Sequence, residues 1–214
     1  DGYAIVKKPY SNFELHIDKK GWRVVDNMEQ YLSIPAIYDK CRYISDGLIA
    51  VELYNKWGFI DTEGKEVISP QYYEIVQDFK DGYAIVKTSY GGKGIQIDRQ
   101  GRTYVKNGEE KVLLPAVYDE YRDFAEGFAA VKCNGKWGFI NAKGETITSI
   151  TYNDCRQFSN GRAAVKRYHK WGFIDTEGKE VISPQYYEIV QDFKDGYAIV
   201  KKPYSNFELH IDKK

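Results

Sequence analysis

Histidine, cysteine and methionine are nearly missing from this chain, at three, three and one of 214 residues. His16, His169 and His210 fall in no His-Glu-x-x-His frame and beside no Ser or Cys in a recognisable catalytic setting, which argues against a zinc protease or a triad hydrolase. Cys41, Cys133 and Cys155 are too few and too scattered for a disulfide scaffold, and no Cys-x-x-Cys spacing suggests zinc. Excess charge of one sign is missing too: 31 Lys and Arg balance 31 Asp and Glu, so nothing drives sequence-independent nucleic-acid binding. No apolar run approaches the roughly 20 residues a membrane-spanning helix needs, so membrane insertion is not expected. Gly91-Gly92-Lys93-Gly94 reads as a hairpin turn rather than a phosphate loop, because no helix follows it. Neither an enzyme nor a cofactor is expected.

What is abundant is aromatic and repeated. The chain holds 19 Tyr and 10 Phe, and residues 170–201 repeat residues 56–87 letter for letter. Residues 195–214 likewise repeat residues 1–20. A recurring x-G-x-x-A/I-V motif at Gly2, Gly47, Gly82, Gly127, Gly161 and Gly196 divides a single repeat domain, 1–214, into units 1–45, 46–80, 81–125, 126–159 and 160–194, with a partial unit 195–214. The chain opens at Asp1 in mid-unit, so its start says nothing about targeting. The two 45-residue units carry extra residues between a shared turn and Pro35 or Pro115, read here as loops inserted on one face.

Each unit reads as four short antiparallel strands, as in Tyr186–Phe193, Arg162–Arg167, Lys170–Asp175 and Glu180–Ser183. Asn134-Gly135 is a strong two-residue hairpin signal, and no stretch has the i, i+3, i+4, i+7 pattern of a helix. Ser-Pro pairs mark the joints between sheets, because proline cannot donate a ladder hydrogen bond. The expected fold is all-β, with tandem four-stranded meanders most like a β-propeller of about five blades. The alternative is an open β-solenoid or superhelix of stacked meanders. In a ring, residues 1–20 and 195–214 would be identical candidates for the same strand positions, so one copy is displaced, or two partial blades form, or the array stays open. Identical ends also permit strand-swapped self-association.

Counting back from the motif glycine, Cys41 and Cys155 take the place of Val76 and Val190, which reads as small buried hydrophobes, while Cys133 sits at a hairpin turn. Asp61, Asn141 and Asp175 precede turns containing Gly64, Gly144 and Gly178, where such side chains cap their own turn. Trp57, Trp137 and Trp171 recur at one place in the short units. Packing between units is the first reading of that recurrence. The other is a ligand platform made with Tyr72 and Tyr186. In Tyr72-Tyr73 and Tyr186-Tyr187 only one ring of each pair can face inward.

Lys56-Trp57-Gly58-Phe59-Ile60-Asp61, Lys136-Trp137-Gly138-Phe139-Ile140-Asn141 and Lys170-Trp171-Gly172-Phe173-Ile174-Asp175, each followed by a turn glycine and Tyr-rich elements, resemble the bacterial WG-repeat (KWG) family. The long units depart from it, holding Glu14-Leu15 and Gly94-Ile95 in the Trp-Gly slot and placing Trp22 after the turn. The resemblance implies an all-β repeat module of exported or cell-surface proteins, with binding or scaffolding roles and no catalytic residues to carry over. A module presenting a protein, peptide or glycan surface is therefore expected, and a structural spacer or self-assembling segment is the alternative.

Overall fold

The structure, a computed structural model, describes residues 3–7, 14–18, 22–27, 30–205 and 207–213, and side chains from Ile34 onward except at positions 43 and 44. The motif turn at Gly2 and the tip connecting the first two strands lie outside the described residues. Among the described residues there is no helix, and six of the seven sheets are antiparallel meanders of three or four strands, the seventh being a two-stranded hairpin, so the expected all-β class of tandem meanders is met. The chain forms two compact units, Asp1–Arg102 and Thr103–Lys214.

In the first unit, strands Tyr3–Lys7, Glu14–Asp18, Trp22–Asn27 and Gln30–Pro35 make one sheet, and Lys40–Ser45, Leu48–Leu53, Lys56–Asp61 and Glu66–Tyr72 a second. Glu74–Lys80, Tyr83–Lys87 and Ile95–Ile97 make a third. The second unit holds the hairpin Arg102–Asn107/Glu110–Pro115 and the sheet Glu120–Tyr121/Phe128–Cys133/Lys136–Asn141. Beyond these come Asp154–Cys155/Ala163–Arg167/Lys170–Ile174/Glu180–Tyr186 and Glu188–Lys194/Tyr197–Lys201/Glu208–Asp212.

Period-2 alternation on the WG strand supplies two cores at once. In Lys136–Asn141, Trp137 and Phe139 pack with Tyr152, Cys155 and Phe158, while Ile140 on the opposite face packs with Val105, Leu114 and Phe124. Each WG phenylalanine meets the ring ahead of the next motif turn edge to face: Phe59 on Phe79 at 4.8 Å, Phe139 on Phe158 at 5.1 Å, and Phe173 on Phe193 at 4.9 Å. Phe59, Phe139 and Phe173 are fully buried, which is worth about 1.5–3 kcal/mol for each ring.

Three expectations change. Pro70 and Pro184 do not end a strand: Glu66–Tyr72 and Glu180–Tyr186 run through them, and the sheet-to-sheet joint falls after Tyr72 and Tyr186. The proline sits in an edge-strand bulge, between the pairs Trp171↔Tyr186 and Phe173↔Ile182, where no ladder donor is required. That bulge explains the glycine of the WG pair. A Cβ on Gly58 would lie 2.6 Å from Pro70 N, and one on Gly172 would lie 2.7 Å from Pro184 N and strike the Ile182 carbonyl oxygen.

The long-unit insertions are strands rather than loops: Trp22–Asn27 and Gln30–Pro35 extend the first meander by a hairpin, and Arg102–Asn107 and Glu110–Pro115 form a two-stranded sheet of their own. Val76 and Val190 are exposed, and the places taken by Cys41 and Cys155 belong to Ile75 and Ile189. Ile75 and Ile189 pair with Val86 and Val200 as Cys41 and Cys155 pair with Val51 and Val165, and a bulge leaves the following valine outside. The two identical ends, whose arrangement the sequence left open, take separate strand positions. Tyr3–Lys7 and Glu14–Asp18 join Trp22–Asn27 in the first unit, whereas Tyr197–Lys201 and Glu208–Asp212 join Glu188–Lys194 in the second.

Candidate functional site

The WG hairpins turn through two residues with positive φ. Asn134-Gly135, at φ 49° and 77°, is the pairing such a turn favours. Tyr168-His169 holds φ 47° and 66° in the same place, and Tyr54-Asn55 holds 51° and 60°. A bulky residue in the left-handed region costs about 1–3 kcal/mol. Burial does not offset it, since Tyr168 is 82% and Tyr54 83% exposed.

A second departure from the structural solution lies at the joint. Tyr187 N–H donates to Lys201 O at 2.8 Å, as Asp39, Asp119 and Asn153 N–H donate to Glu52, Lys132 and Lys166 O. The side-chain oxygens of Asp39, Asp119 and Asn153 then cap a hairpin turn, accepting from Tyr54 N, Asn134 N and Tyr168 N at 3.0, 2.7 and 3.2 Å. Tyr187 supplies no such oxygen and instead stands 67% exposed. Tyr204, at φ 60° in the turn after Tyr197–Lys201, is fully exposed.

These three tyrosines line one cavity of about 520 Å³ with His169, Lys170, Glu188, Lys201, Lys202, Pro203 and Ser205. Lys201 Nζ donates to Glu188 Oε2 at 3.1 Å, and Lys170 and Lys202 leave the lining net positive. Three aromatic rings and ammonium groups around an open concavity can stack a flat or ring-shaped ligand and neutralise an anionic group on it.

The aromatic platform that was the second reading of these residues is not brought to the surface. Trp137, Trp171, Tyr72 and Tyr186 are buried, and Trp57 is half-buried. Cross-strand pairing of Trp171 with Tyr186 and of Trp57 with Tyr72 sends both rings into the core. An arginine lies on each indole, Arg42, Arg122 and Arg156 at 4.8, 3.9 and 5.6 Å from the ring centroids. The same guanidinium donates to a carbonyl of the next sheet: Arg42 to Ile75 O at 3.3 Å, Arg122 to Cys155 O at 2.6 Å, and Arg156 to Ile189 O at 3.0 Å. The Trp face is thus a clamp between sheets.

Turn capping holds at all three expected positions. Asp61, Asn141 and Asp175 Oδ1 each accept two backbone N–H groups at 2.9–3.0 Å, and Asp98 does the same. Sequence reasoning missed Tyr168, Tyr187 and Tyr204 as a group. The available signal was a Tyr where a hairpin turn favours Asn.

A search of curated proteins gave no match. Among solved structures, KlHsv2 with loop 6CD replaced by a Gly-Ser linker is similar at 10% identity and TM-score 0.34, over 78% of this chain and 59% of that one. The extracellular domain of the putative hybrid two component system BT3049 from B. thetaiotaomicron matches at 9% identity and TM-score 0.30, over 100% and 34%. A eukaryotic initiation factor matches at 12% identity and TM-score 0.30, over 94% and 57%. The chain thus spans less than two thirds of each, and likenesses this weak carry no argument. The WG containing repeat profile matches residues 22–57, 57–91, 105–137, 137–168 and 171–202. With WG hairpins, bulge-packed glycines and five such matches, the chain belongs to the WG containing repeat family.

Proposed function

We propose that the chain is a non-catalytic binding module, and that its ligand, an acidic oligosaccharide, occupies the cavity lined by Tyr168, Tyr187 and Tyr204. The observation that carries this reading is the set of three exposed tyrosines at places where the fold would be less strained or better capped without them. Tyrosine offers an apolar ring face and a hydroxyl, which suits a sugar ring and its hydroxyl groups. The lining contains no Leu, Ile, Val, Phe or Met to seat the apolar anchor of a peptide. Lys170, Lys201 and Lys202 against Glu188 favour a carboxylate-bearing sugar over a neutral one.

Isothermal titration of the chain with a galacturonic acid tetrasaccharide, a neutral glucose tetrasaccharide and a Glu-rich peptide tests this. Binding of the acidic sugar alone, weakened by added salt and lost in Tyr187→Ala, is the expected result. Preference for the peptide, or binding indifferent to Tyr187→Ala, would overturn it.

A further inference from the structure

We infer that the Asp1–Arg102 unit carries a second copy of this site, built on Tyr54, Lys56, Tyr73, Lys87 and Tyr90, so that one chain takes two acidic-sugar ligands. The inference rests on the binding reading above. Lys56, Tyr73 and Lys87 stand in the places of Lys170, Tyr187 and Lys201, inside the block that repeats letter for letter. Duplication alone accounts for them. Tyr54 and Tyr90 lie outside that block, where the chain has drifted: Leu53, Asn55, Thr88 and Ser89 stand opposite Arg167, His169, Lys202 and Pro203. Through that drift the counterparts of Tyr168 and Tyr204 are still tyrosine.

Burial in a core does not hold them there, since Tyr54 is 83% and Tyr90 85% exposed. Tyr54 keeps its left-handed backbone, and Tyr73 N–H donates to Lys87 O at 2.8 Å as Tyr187 N–H does to Lys201 O. The ion pair is reproduced as well, with Lys87 Nζ 2.8 Å from Glu74 Oε2. The intervening short unit shows what the fold itself requires: it has Asn134-Gly135 at the hairpin turn and Asn153 at the joint, capping Tyr168 N. Sheets of this kind stack without either tyrosine.

The two copies differ in state. Tyr73 and Tyr90 close on each other edge to face, with centroids 5.6 Å apart, and Lys56 Nζ lies 6.0 Å from the Tyr73 ring. Tyr187 and Tyr204 leave an open cavity. A ligand entering the first-unit site must part an aromatic pair, and it meets Thr88 where the second site offers Lys202. The first-unit site is therefore the weaker, by roughly tenfold.

Calorimetry of the full chain with the galacturonic acid tetrasaccharide decides the matter. Two sites about tenfold apart in Kd are expected, with Tyr73→Ala removing only the weaker and Tyr187→Ala only the tighter. Tyr187→Ala should melt with the parent, and Tyr73→Ala slightly below it through loss of its ring pair with Tyr90, each still in one cooperative transition, separating loss of a site from loss of fold. A single site, abolished by Tyr187→Ala and untouched by Tyr73→Ala, would overturn the second site and leave the first reading standing. No binding by the intact chain would overturn both.

Discussion

At the scale of single residues, the side chains that define the repeat are structural. Trp137 is 4% exposed beneath Arg122, so Trp137→Ala is expected to cost about 3–5 kcal/mol in urea denaturation. Acidic-sugar affinity should be unchanged under conditions where the variant is folded. Gly172→Ala places a methyl group against the Ile182–Pro184 bulge and should cost about 1–3 kcal/mol. Unaltered stability in that variant would show that the bulge can move away. Burial pushes the Cys155 thiol up to about 12, with Arg122 opposing and Asp154 adding to it. Burial likewise pushes Tyr121 up to about 12, against the pull of Tyr118 and Val117 N–H groups.

In both groups the folded pKa is raised, so the unfolded chain gives up its proton first as pH rises. Their stability contribution is whole below about pH 9 for Cys155 and about pH 10 for Tyr121, and falls as pH climbs toward 12. The slope is about 1.4 kcal/mol per pH unit for each group. Cys155→Val should flatten the curve measured by denaturation between about pH 9 and 10, and an unchanged curve would show that the thiol ionises freely in the fold.

At the scale of elements, sheets are joined by recurrent polar clamps as well as by aromatic rings. Arg156 lies on Trp171, donates to Ile189 O and pairs with Asp192 Oδ2 at 3.3 Å. Arg156→Ala removes a charge-assisted bond at a half-exposed position and should cost about 1–2 kcal/mol, at the low end for such bonds because solvent screens it. Arg156→Lys should recover only part of this, lacking the planar fork. The hairpin Ala163–Arg167/Lys170–Ile174 shows the opposite balance. Replacing its turn by Tyr168→Asn with His169→Gly relieves a strained pair of residues and should raise stability by about 1–2 kcal/mol. The same change should abolish the tighter sugar site. A variant that is more stable and still binds would sink the role given to Tyr168.

At the scale of the whole molecule, the identical ends have different work. Ala198, Val200, Leu209 and Ile211 of the C-terminal copy cover Ala164, Trp171 and Phe173. The N-terminal copy is held in the Asp1–Arg102 unit by Trp22–Asn27. Deleting residues 195–214 should therefore uncover the Thr103–Lys214 core and leave the strand Glu188–Lys194 without its partner, giving a large drop in the thermal melt of that unit. A melt like that of the full chain would mean that residues 1–20 move across to replace the lost cover.

Much of the fold was legible because period and turn chemistry are local. Glycine at each motif turn, Asn134-Gly135 at a hairpin and the alternation along KWGFI state strands, connections and inward faces without reference to distant residues. The sequence also set Tyr72 against Tyr73 and Tyr186 against Tyr187, but the reason is the joint: Tyr72 and Tyr186 end a strand facing the core, and Tyr73 and Tyr187 lie in the bend between sheets. It could not decide which proline ends a strand, because Pro184 is excused by an edge bulge that exists only once Gly172 lies beneath it. Nor could it rank the tryptophans against the tyrosines as a platform. Both are aromatic, and only the stacking of one sheet on the next buries Trp171 while leaving Tyr168, Tyr187 and Tyr204, distant in the chain, around a single cavity.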